Sequence, residues 1–240
     1  MPLQLPRRAF ALLALAAPFA IPTRAHAAAP DPVDFLFRLG ILEGHLIIGH
    51  DLLRARHNAL ALPHFGHPVR ELYDDIIDYL TAIKFPRFEA DLIRLEAAVA
   101  KSPGAGETEA LYQAAIATLH RARATAPAEL RAAIPEMIRI CSDTIDAAAG
   151  EYGQAVNRGR IDQVVEYHDS RGYISYVAEE LDRMQGTAKT PADQGLIAKF
   201  RPILARAQWI VAPLLPEPAP RASASQYRAI AADAARLAKP

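Results

Sequence analysis

Apolar side chains recur along this chain at intervals of three and four residues, the spacing that places them on one face of a helix. The first such stretch is formed by Phe35, Leu39, Leu42, Leu46 and Leu53. The second is formed by Leu62, Phe65, Val69, Leu72 and Ile76. Short breaks rich in proline and glycine, such as residues 102–104, separate the periodic stretches. The pattern predicts an all-α protein, a helical bundle of about seven helices.

The breaks place the predicted helices at residues 32–55, 58–84, 87–101, 107–125, 128–157, 160–186 and 191–213. Pro68 should kink the second helix, because its ring removes one backbone hydrogen bond. Gly40, Gly44 and Gly49 destabilise the first helix, which indicates that another helix approaches it closely there.

Residues 1–27 have the features of an export signal: a pair of arginines, a short apolar stretch and a final Ala-His-Ala sequence. We therefore expect a periplasmic or secreted protein without a membrane span after cleavage. The route is either the general secretory or the twin-arginine pathway, and the alternative is an N-terminal membrane anchor. Residues 28–213 are predicted to form the helical-bundle domain. Residues 214–240 are predicted to form a proline-rich linker and a detached terminal helix.

Charge and cysteine content exclude some classes of function. The full chain has 27 basic and 27 acidic side chains, and three of the basic ones lie in residues 1–27. The remaining chain carries 24 basic and 27 acidic side chains, a net charge of −3, which gives no support to a nucleic-acid partner. Cys141 is the only cysteine, so an internal disulfide and a multi-cysteine metal site are excluded. Its isoleucine neighbours predict that it packs in a core.

The two halves of the sequence show a similar layout. A shift of 102 residues aligns residues 50–79 with residues 152–181. Each stretch contains a helix, a short basic turn and a long helix with an aromatic residue flanked by polar groups. We interpret the alignment as two related helical hairpins, with repeats over residues 32–101 and 134–213. The alternative interpretation is that any two amphipathic hairpins align in this way.

Histidines are concentrated in one hairpin. Five of the seven histidines after residue 27 lie between residues 45 and 67. Histidine is the commonest metal ligand and titrates near neutral pH. Glu43 and His50, seven residues apart, lie inside or beside the apolar arc of the first helix. His45 is predicted to point away from that arc to the surface, and His57 to lie in the turn.

The second helix carries two histidines and a glutamate at spacing i, i+3 and i+7, which places them on one face. With the pair from the first helix, the predicted metal ligands are Glu43, His50, His64, His67 and Glu71. A chain reversal at His57 would place His50 level with His64, and Glu43 level with Glu71. Nitrogen and oxygen ligands of this kind suit iron, copper or zinc, and the sequence does not choose among these metals. The alternative is a solvated polar face.

The second hairpin offers another polar face. Its predicted ligand-binding residues are Glu166, Asp169, Arg171 and Tyr173. If the two hairpins pack against each other, this face could complete the site or bind a polar ligand. The alternative is an ion pair between Arg171 and one of the two carboxylates. Trp209, in an apolar stretch, is predicted to lie in the core.

The sequence gives little indication of catalysis. It has no Gly-x-Ser-x-Gly elbow, no phosphate-binding glycine loop, no dinucleotide fingerprint and no Cys-x-x-Cys-His haem attachment. A hydrolase with a histidine–carboxylate site would need a nucleophile, and the sequence points to none. A binding protein is therefore favoured over an enzyme.

An exported, all-helical chain with a repeated bundle and histidine–glutamate pairs resembles the imelysin-like periplasmic proteins over residues 32–213. That family is associated with iron-regulated uptake systems. Its Gly-x-His-x-x-Glu motif is absent, since Gly44 and His45 are adjacent and no glutamate follows three residues later. The resemblance implies a periplasmic setting and a link to metal uptake, and it assigns no residue roles.

The function predicted from the sequence is a periplasmic helical protein that binds a metal ion or a metal-containing ligand, for uptake or storage. Its expected partners are that metal or small ligand and a protein of the cell envelope. The alternative is a helical protein–protein interaction module without metal. Residues 49–65 resemble a tetratricopeptide hairpin, and the grooves of such hairpins bind peptides.

Overall fold

The computed structural model describes residues 30–239, most of which lie in helices. The first half forms α1 (Pro32–Arg54), α2 (Asn58–His67), a π-helical turn (Pro68–Leu72), α3 (Tyr73–Ala82), α4 (Glu89–Lys101) and α5 (Gly106–Ala124). The second half forms α6 (Ala128–Ala132), α7 (Ile134–Ala155), β1 (Val156–Asn157) paired antiparallel with β2 (Arg160–Ile161), α8 (Val164–Thr187), α9 (Pro191–Ile210) and α10 (Ala224–Leu237). The prediction of an all-α helical bundle is confirmed.

Two of the predicted helices are each divided near a proline. The π-helical turn begins at Pro68, whose missing N–H removes a helical hydrogen bond, so the predicted disturbance of the helix at Pro68 is confirmed. Pro135 lies in the first turn of α7, where a proline is tolerated because the N–H groups there have no helical partner. A continuous helix over residues 128–157 would place Pro135 in its interior. The chain breaks at Ala133 instead, where the backbone is extended.

Helix α1 lies between the two halves of the molecule. One side packs on α7 and α8 through residues such as Leu36 and Ile41, in a core that α9 and α10 extend. The other side packs on α2, α3 and α5 through residues such as Leu39, Leu42 and Leu46. Because α1 is covered on both sides, its polar residues point into protein in more than one direction.

Glycines set the distance between α1 and its neighbours. A side chain at Gly172 of α8 would collide with the backbone carbonyl of Gly44. A side chain at Gly40 would collide with a tyrosine ring of α8, and one at Gly49 would lie 2.8 Å from the ring of Phe65 on α2. The close helix approach predicted at the three glycines of α1 is confirmed.

Two expectations for the C-terminal region are wrong. Helix α10 is not detached, because Tyr227, Ile230 and Ala234 are buried where it packs against α7 and α9. Its small alanine side chains allow this close packing. Trp209 is not in the core, since 58% of its surface is exposed, and its neighbour Ile210 takes the buried position on α9. Cys141 is buried, as predicted.

Within residues 30–239, no helix is long and apolar enough to span a membrane. The predicted export signal, residues 1–27, lies outside the described residues. The domain boundaries and the internal duplication stay predictions. The structure has helical hairpins, α1–α2 and α7–α8, in the two stretches that the sequence alignment compares.

Candidate metal centre

Asp169 of α8 lies at the centre of a group of histidines from α1 and α2. Its Oδ1 atom is 2.7 Å from Nδ1 of His45 and 2.7 Å from Nδ1 of His64, and its Oδ2 atom is 3.6 Å from Nδ1 of His67. We call these four residues the Asp169 cluster. His45, His64 and Asp169 are buried, and their ligand atoms lie within 4.8 Å of one another, a spacing that could hold a metal ion. His67 is partly exposed.

The fold brings these residues together through close helix packing. Helices α1 and α8 touch at Gly44 and Gly172, beside His45 and one turn after Asp169. The turn after α1 reverses the chain, so that α2 packs back on α1 and on α8 with His64 fully buried. The glycine contact therefore sets how closely the imidazoles and the carboxylate approach each other.

His45 and His64 meet the same carboxylate oxygen in different ways. The His64 contact has hydrogen-bond geometry, whereas the His45 contact, at the same distance, does not. Nδ1 of His45 thus has no hydrogen-bond partner among the described residues. Its other ring nitrogen, Nε2, lies 2.9 Å from the hydroxyl of Tyr173. Metal-ligating histidines are commonly held in this way, with one nitrogen hydrogen-bonded and the other facing the metal.

A fourth imidazole lies behind the cluster. The ring of His168 is fully buried, with its centroid 5.5 Å from that of His64. Nε2 of His168 donates a hydrogen bond to the carbonyl of Leu214 at 2.9 Å, so its Nδ1 carries a lone pair when the ring is neutral. That atom and Nε2 of His64 have no hydrogen-bond partner within residues 30–239.

Burial and mutual contact set the protonation states of the cluster. Burial lowers the pKa of His64, although Asp169 opposes this shift. Burial and the neighbouring His64 lower the pKa of His168 to about 4. Burial alone would disfavour the charged form of Asp169, but its three histidine partners outweigh burial and hold its pKa well below the usual range. Asp169 is therefore ionised at neutral pH, and the two buried imidazoles are neutral.

Some of the site residues predicted from the sequence lie in or against the cluster. These are His64, His67, Asp169 and Tyr173. Glu71 is exposed in the π-helical turn, and Glu166 is half-buried on α8. Burial raises the pKa of Glu151 on α7, with further contributions from the charges of Asp169, Glu166 and Glu71. Neither Glu71 nor Glu166 contacts the histidines of the cluster within residues 30–239.

Glu43 and His50 lie elsewhere, against α5. Glu43 is buried, and its Oε1 atom is 2.9 Å from Nε2 of His120. His50 is 2.8 Å from Oε2 of Glu109 and stacks on the ring of Tyr112 at 3.9 Å between centroids. The structure thus does not bring these two predicted ligands to the Asp169 cluster. The sequence argument considered only the α1–α2 hairpin, whereas α5 also packs on α1.

Arg171 does not pair with either carboxylate of its own helix. Its Nη1 atom donates to the carbonyl of Val211 at 2.8 Å and to that of Ala212 at 2.7 Å. Arginine satisfies free carbonyls at a helix end in this way, so Arg171 fastens the end of α9 to α8. The proposed ion pair with Asp169 or Glu166 is not formed.

His45 is the residue that the sequence prediction misplaced. It is 3% exposed, not at the surface, because α8 covers the side of α1 opposite the main apolar arc. One feature of the sequence could have predicted its burial. His45 follows Gly44, and the glycines of α1 indicate where another helix approaches. His168 is one of the polar residues of the second hairpin and precedes Asp169, but it was not among the predicted ligands.

Residues 127–207 match the family of the iron permease-associated 4-helix bundle domain. The match covers 81 of the 240 residues, from α6 into α9. It contains Asp169, whereas His45, His64 and His67 lie before it. Over this stretch the chain is similar to a domain named for its association with iron permeases.

The whole chain matches no curated protein and no solved structure. The helical-bundle architecture fits the imelysin-like proteins only loosely, and the family match is to a different domain. The chain is therefore an all-helical bundle of which residues 127–207 are similar to the iron permease-associated 4-helix bundle domain.

Proposed function

We propose that this protein binds a transition-metal ion, with iron as the first candidate, at the Asp169 cluster and delivers it to an iron permease. The proposal rests on one observation: the Nδ1 atoms of three histidines, from two helices, lie close to one buried carboxylate. The match of residues 127–207 to an iron permease-associated domain supports iron. Iron would be the cargo of the protein and not a cofactor of a reaction.

The geometry favours a ligand site over a purely structural network. A buried structural network is expected to satisfy each polar atom with a hydrogen bond. Here Nδ1 of His45 lies beside the carboxylate without such a bond, and Tyr173 holds the opposite nitrogen of the ring. Imidazole and carboxylate ligands together suit iron, zinc and copper.

The protonation states also suit metal binding. A metal binds the lone pair of a neutral imidazole and an ionised carboxylate, so ligands that are already in these forms release no protons on binding. Near neutral pH His64 is neutral and Asp169 is ionised, by the pKa shifts described above, whereas Asp169 raises the pKa of His67. The ionised carboxylate accepts the hydrogen bond from Nδ1 of His64, so a metal that binds this nitrogen requires the ring proton to move to Nε2, which has no hydrogen-bond partner among residues 30–239. The partly exposed His67 offers the side from which a hydrated ion could approach.

We further propose that the protein works in the periplasm with a permease of the cell envelope. The predicted export signal at residues 1–27 supports this location. A periplasmic carrier would meet metal ions on the outer side of the inner membrane, before the permease takes them up.

The proposal is tested by purifying the exported protein from cells and measuring its metal content by elemental mass spectrometry. We expect about one metal ion per chain in the wild type. Asp169→Asn and His45→Ala should reduce the content at least tenfold, since each removes a ligand. His120→Ala and His50→Ala are the matched controls, because these histidines also contact a carboxylate but lie outside the cluster. Unchanged metal in both cluster variants would disprove the site.

Iron is tested separately from metal binding as such. The metal-free protein is offered equal amounts of Fe(II), Zn(II) and Cu(II), and the bound fraction of each is measured. Iron uptake in cells that lack the protein gives the second readout. Binding of zinc or copper with normal iron uptake would leave the site in place and refute the iron function.

A helical interaction module is the second candidate, favoured by the surface beside the exposed Trp209. An open groove of about 630 Å³ lies there, between α9 and α10. Its apolar lining includes Trp209, Ile210 and Ile230. This function predicts that Trp209→Ala abolishes partner capture while Asp169→Asn has no effect. The metal-binding function predicts the opposite dependence.

A further inference from the structure

A second polar site lies away from the Asp169 cluster, where the end of α5, the short α6 and the later part of α8 meet. An open cavity of about 200 Å³ is found there. Apart from Ala124, its lining is cationic or potentially cationic: His120, Arg123, Arg131 and Arg183. Three separate helices thus direct guanidinium or imidazole groups to one small space.

Two of these guanidinium groups have hydrogen-bonding capacity that the protein leaves unused. Nε of Arg123 and Nη2 of Arg183 are buried, and neither has a hydrogen-bond partner among residues 30–239. A charged donor that is buried without a partner destabilises the folded protein. Such donors are expected to meet a ligand or water, and both belong to residues that line the cavity.

The local carboxylates do not neutralise the arginines completely. Glu180, which is 1% exposed, accepts hydrogen bonds from both Arg123 and Arg183. The exposed Glu179 lies 3.7 Å from Arg183. Arg131 has no ion pair in the described part of the chain, and its Nε donates to a backbone carbonyl. Three permanent positive charges therefore face two carboxylates.

The pair of His120 and Glu43 leaves this excess in place when His120 is protonated, the form that the hydrogen bond to Glu43 favours by raising the pKa of His120. Its Nε2 atom is 2.9 Å from the buried Glu43, which gives this histidine a carboxylate of its own. When His120 is protonated, the pair is neutral. The excess of one positive charge at the cavity then comes from the arginines alone.

We propose that this cavity binds a small oxyanion. Guanidinium groups present planar, paired donors that match the oxygen spacing of phosphate and carboxylate groups. The unused donors and the unpaired charge of Arg131 account for recognition, and the small volume limits the ligand to a single phosphate, sulfate or carboxylate group. The site is independent of metal binding at the Asp169 cluster.

The experiment is calorimetric titration of the mature protein with inorganic phosphate, at constant ionic strength with chloride as the background anion. We expect saturable binding, at least tenfold weaker in Arg131→Gln. Arg131→Gln leaves both contacts of Glu180 in place, so the fold should be retained. Arg131→Lys keeps the charge without the planar donors and should bind with intermediate affinity. Arg94→Gln, which removes an exposed arginine from α4, is the control.

Acetate in place of phosphate distinguishes a carboxylate ligand from a phosphate ligand, and saturable binding of either supports the oxyanion site. Equal phosphate affinity in the wild type and Arg131→Gln would overturn the proposal, as would the absence of binding of both anions at millimolar concentration. A metal-bound anion is tested with Asp169→Asn. If this variant loses phosphate binding while Arg131→Gln keeps it, the anion is held at the metal and the cavity is not its site.

Discussion

Asp169 and Glu43 are both buried carboxylates with histidine partners, yet they create different environments. Asp169 is 4% exposed and meets three imidazoles, of which that of His64 is fully buried. Glu43 is 3% exposed, and among residues 30–239 it pairs only with the imidazole of His120, whose side chain is 48% exposed. The two carboxylates are equally buried, and their histidines are not.

The exposure of the histidine decides its protonation state. Burial lowers the pKa of His64 in spite of Asp169, whereas the hydrogen bond to Glu43 raises the pKa of His120 in spite of partial burial. A neutral imidazole offers a lone pair to a metal, and a protonated one does not. The same two chemical groups, a carboxylate and an imidazole, therefore suit a metal site on one side of α1 and a salt bridge on the other.

The largest expected difference between the two sites is in stability after loss of the carboxylate. Asp169→Ala leaves buried imidazole nitrogens without a partner and should lower the free energy of unfolding by about 3 kcal/mol. Glu43→Ala removes the partner of His120, but water can replace it, so the free energy of unfolding should fall by only about 1 kcal/mol. Urea unfolding of both variants in the presence of a chelator measures this difference. Equal losses would show that burial of the histidine does not matter.

The second prediction concerns the spacing that creates the Asp169 cluster. Gly172→Ala introduces a side chain against the carbonyl of Gly44, so α1 and α8 must separate. We expect a loss of about 2 kcal/mol in the free energy of unfolding and loss of bound metal, with the His120 site unaffected.

The control for that prediction is another helical glycine. Gly150→Ala on α7 meets no atom within 4 Å, and should stabilise the protein by up to about 1 kcal/mol through helix propensity. Thermal unfolding and metal content are measured on both variants. Full metal occupancy in Gly172→Ala would contradict the role of close helix packing in forming the site.

The third prediction tests how His45 is held. Tyr173→Phe removes the hydroxyl at 2.9 Å from Nε2 of His45 and should weaken metal affinity roughly tenfold, because the ring is no longer oriented. Stability should fall by about 1 kcal/mol. Competition with a metal-binding dye measures the affinity. Tyr112→Phe is a matched control, since Tyr112 stacks on His50 outside the cluster.

The smallest effect is the pH dependence of the Glu43 site. Because the folded-state pKa of His120 is raised from 6.5, its contribution to stability is complete below that pH. The contribution is lost as the pH rises through the folded-state pKa. The effect of His64 on stability has the opposite pH dependence, because its pKa is lower in the folded protein than in the unfolded one. As the pH falls below 6.5, His64 takes up a proton first in the unfolded protein, so acid reduces stability.

Nuclear magnetic resonance titration of the histidine ring protons checks both signs. The midpoint of His120 should lie above 6.5 and that of His64 below it. Glu43→Gln should bring His120 back towards 6.5, whereas it should leave His64 unchanged. A midpoint of His120 that does not respond to Glu43→Gln would refute the salt bridge.

Much of the fold followed from local patterns in the sequence. Apolar spacing located the helices to within a few residues, and Pro68 marked the π-helical turn. The positions of α10 and Trp209 were mispredicted, since the sequence shows which face of a helix is apolar but not which neighbour covers it.

Part of the candidate site also followed from the sequence. The i, i+3 spacing of His64 and His67 and the polar face with Asp169 and Tyr173 identified four residues that the structure brings together. The sequence did not identify His45, because the angular argument assumed that α1 has one buried side. Whether any of these residues binds a metal stays a prediction.

The sequence by itself determined that this protein is a helical bundle with histidines concentrated in one hairpin. Helical periodicity and proline positions act over a few residues, so they can be read without the fold. Only the tertiary structure decided which carboxylate meets which histidine, pairing Asp169 with His64 across 105 residues and Glu43 with His120 across 77. Such pairs depend on how closely whole helices pack, and one glycine contact between α1 and α8 sets that distance at the Asp169 cluster.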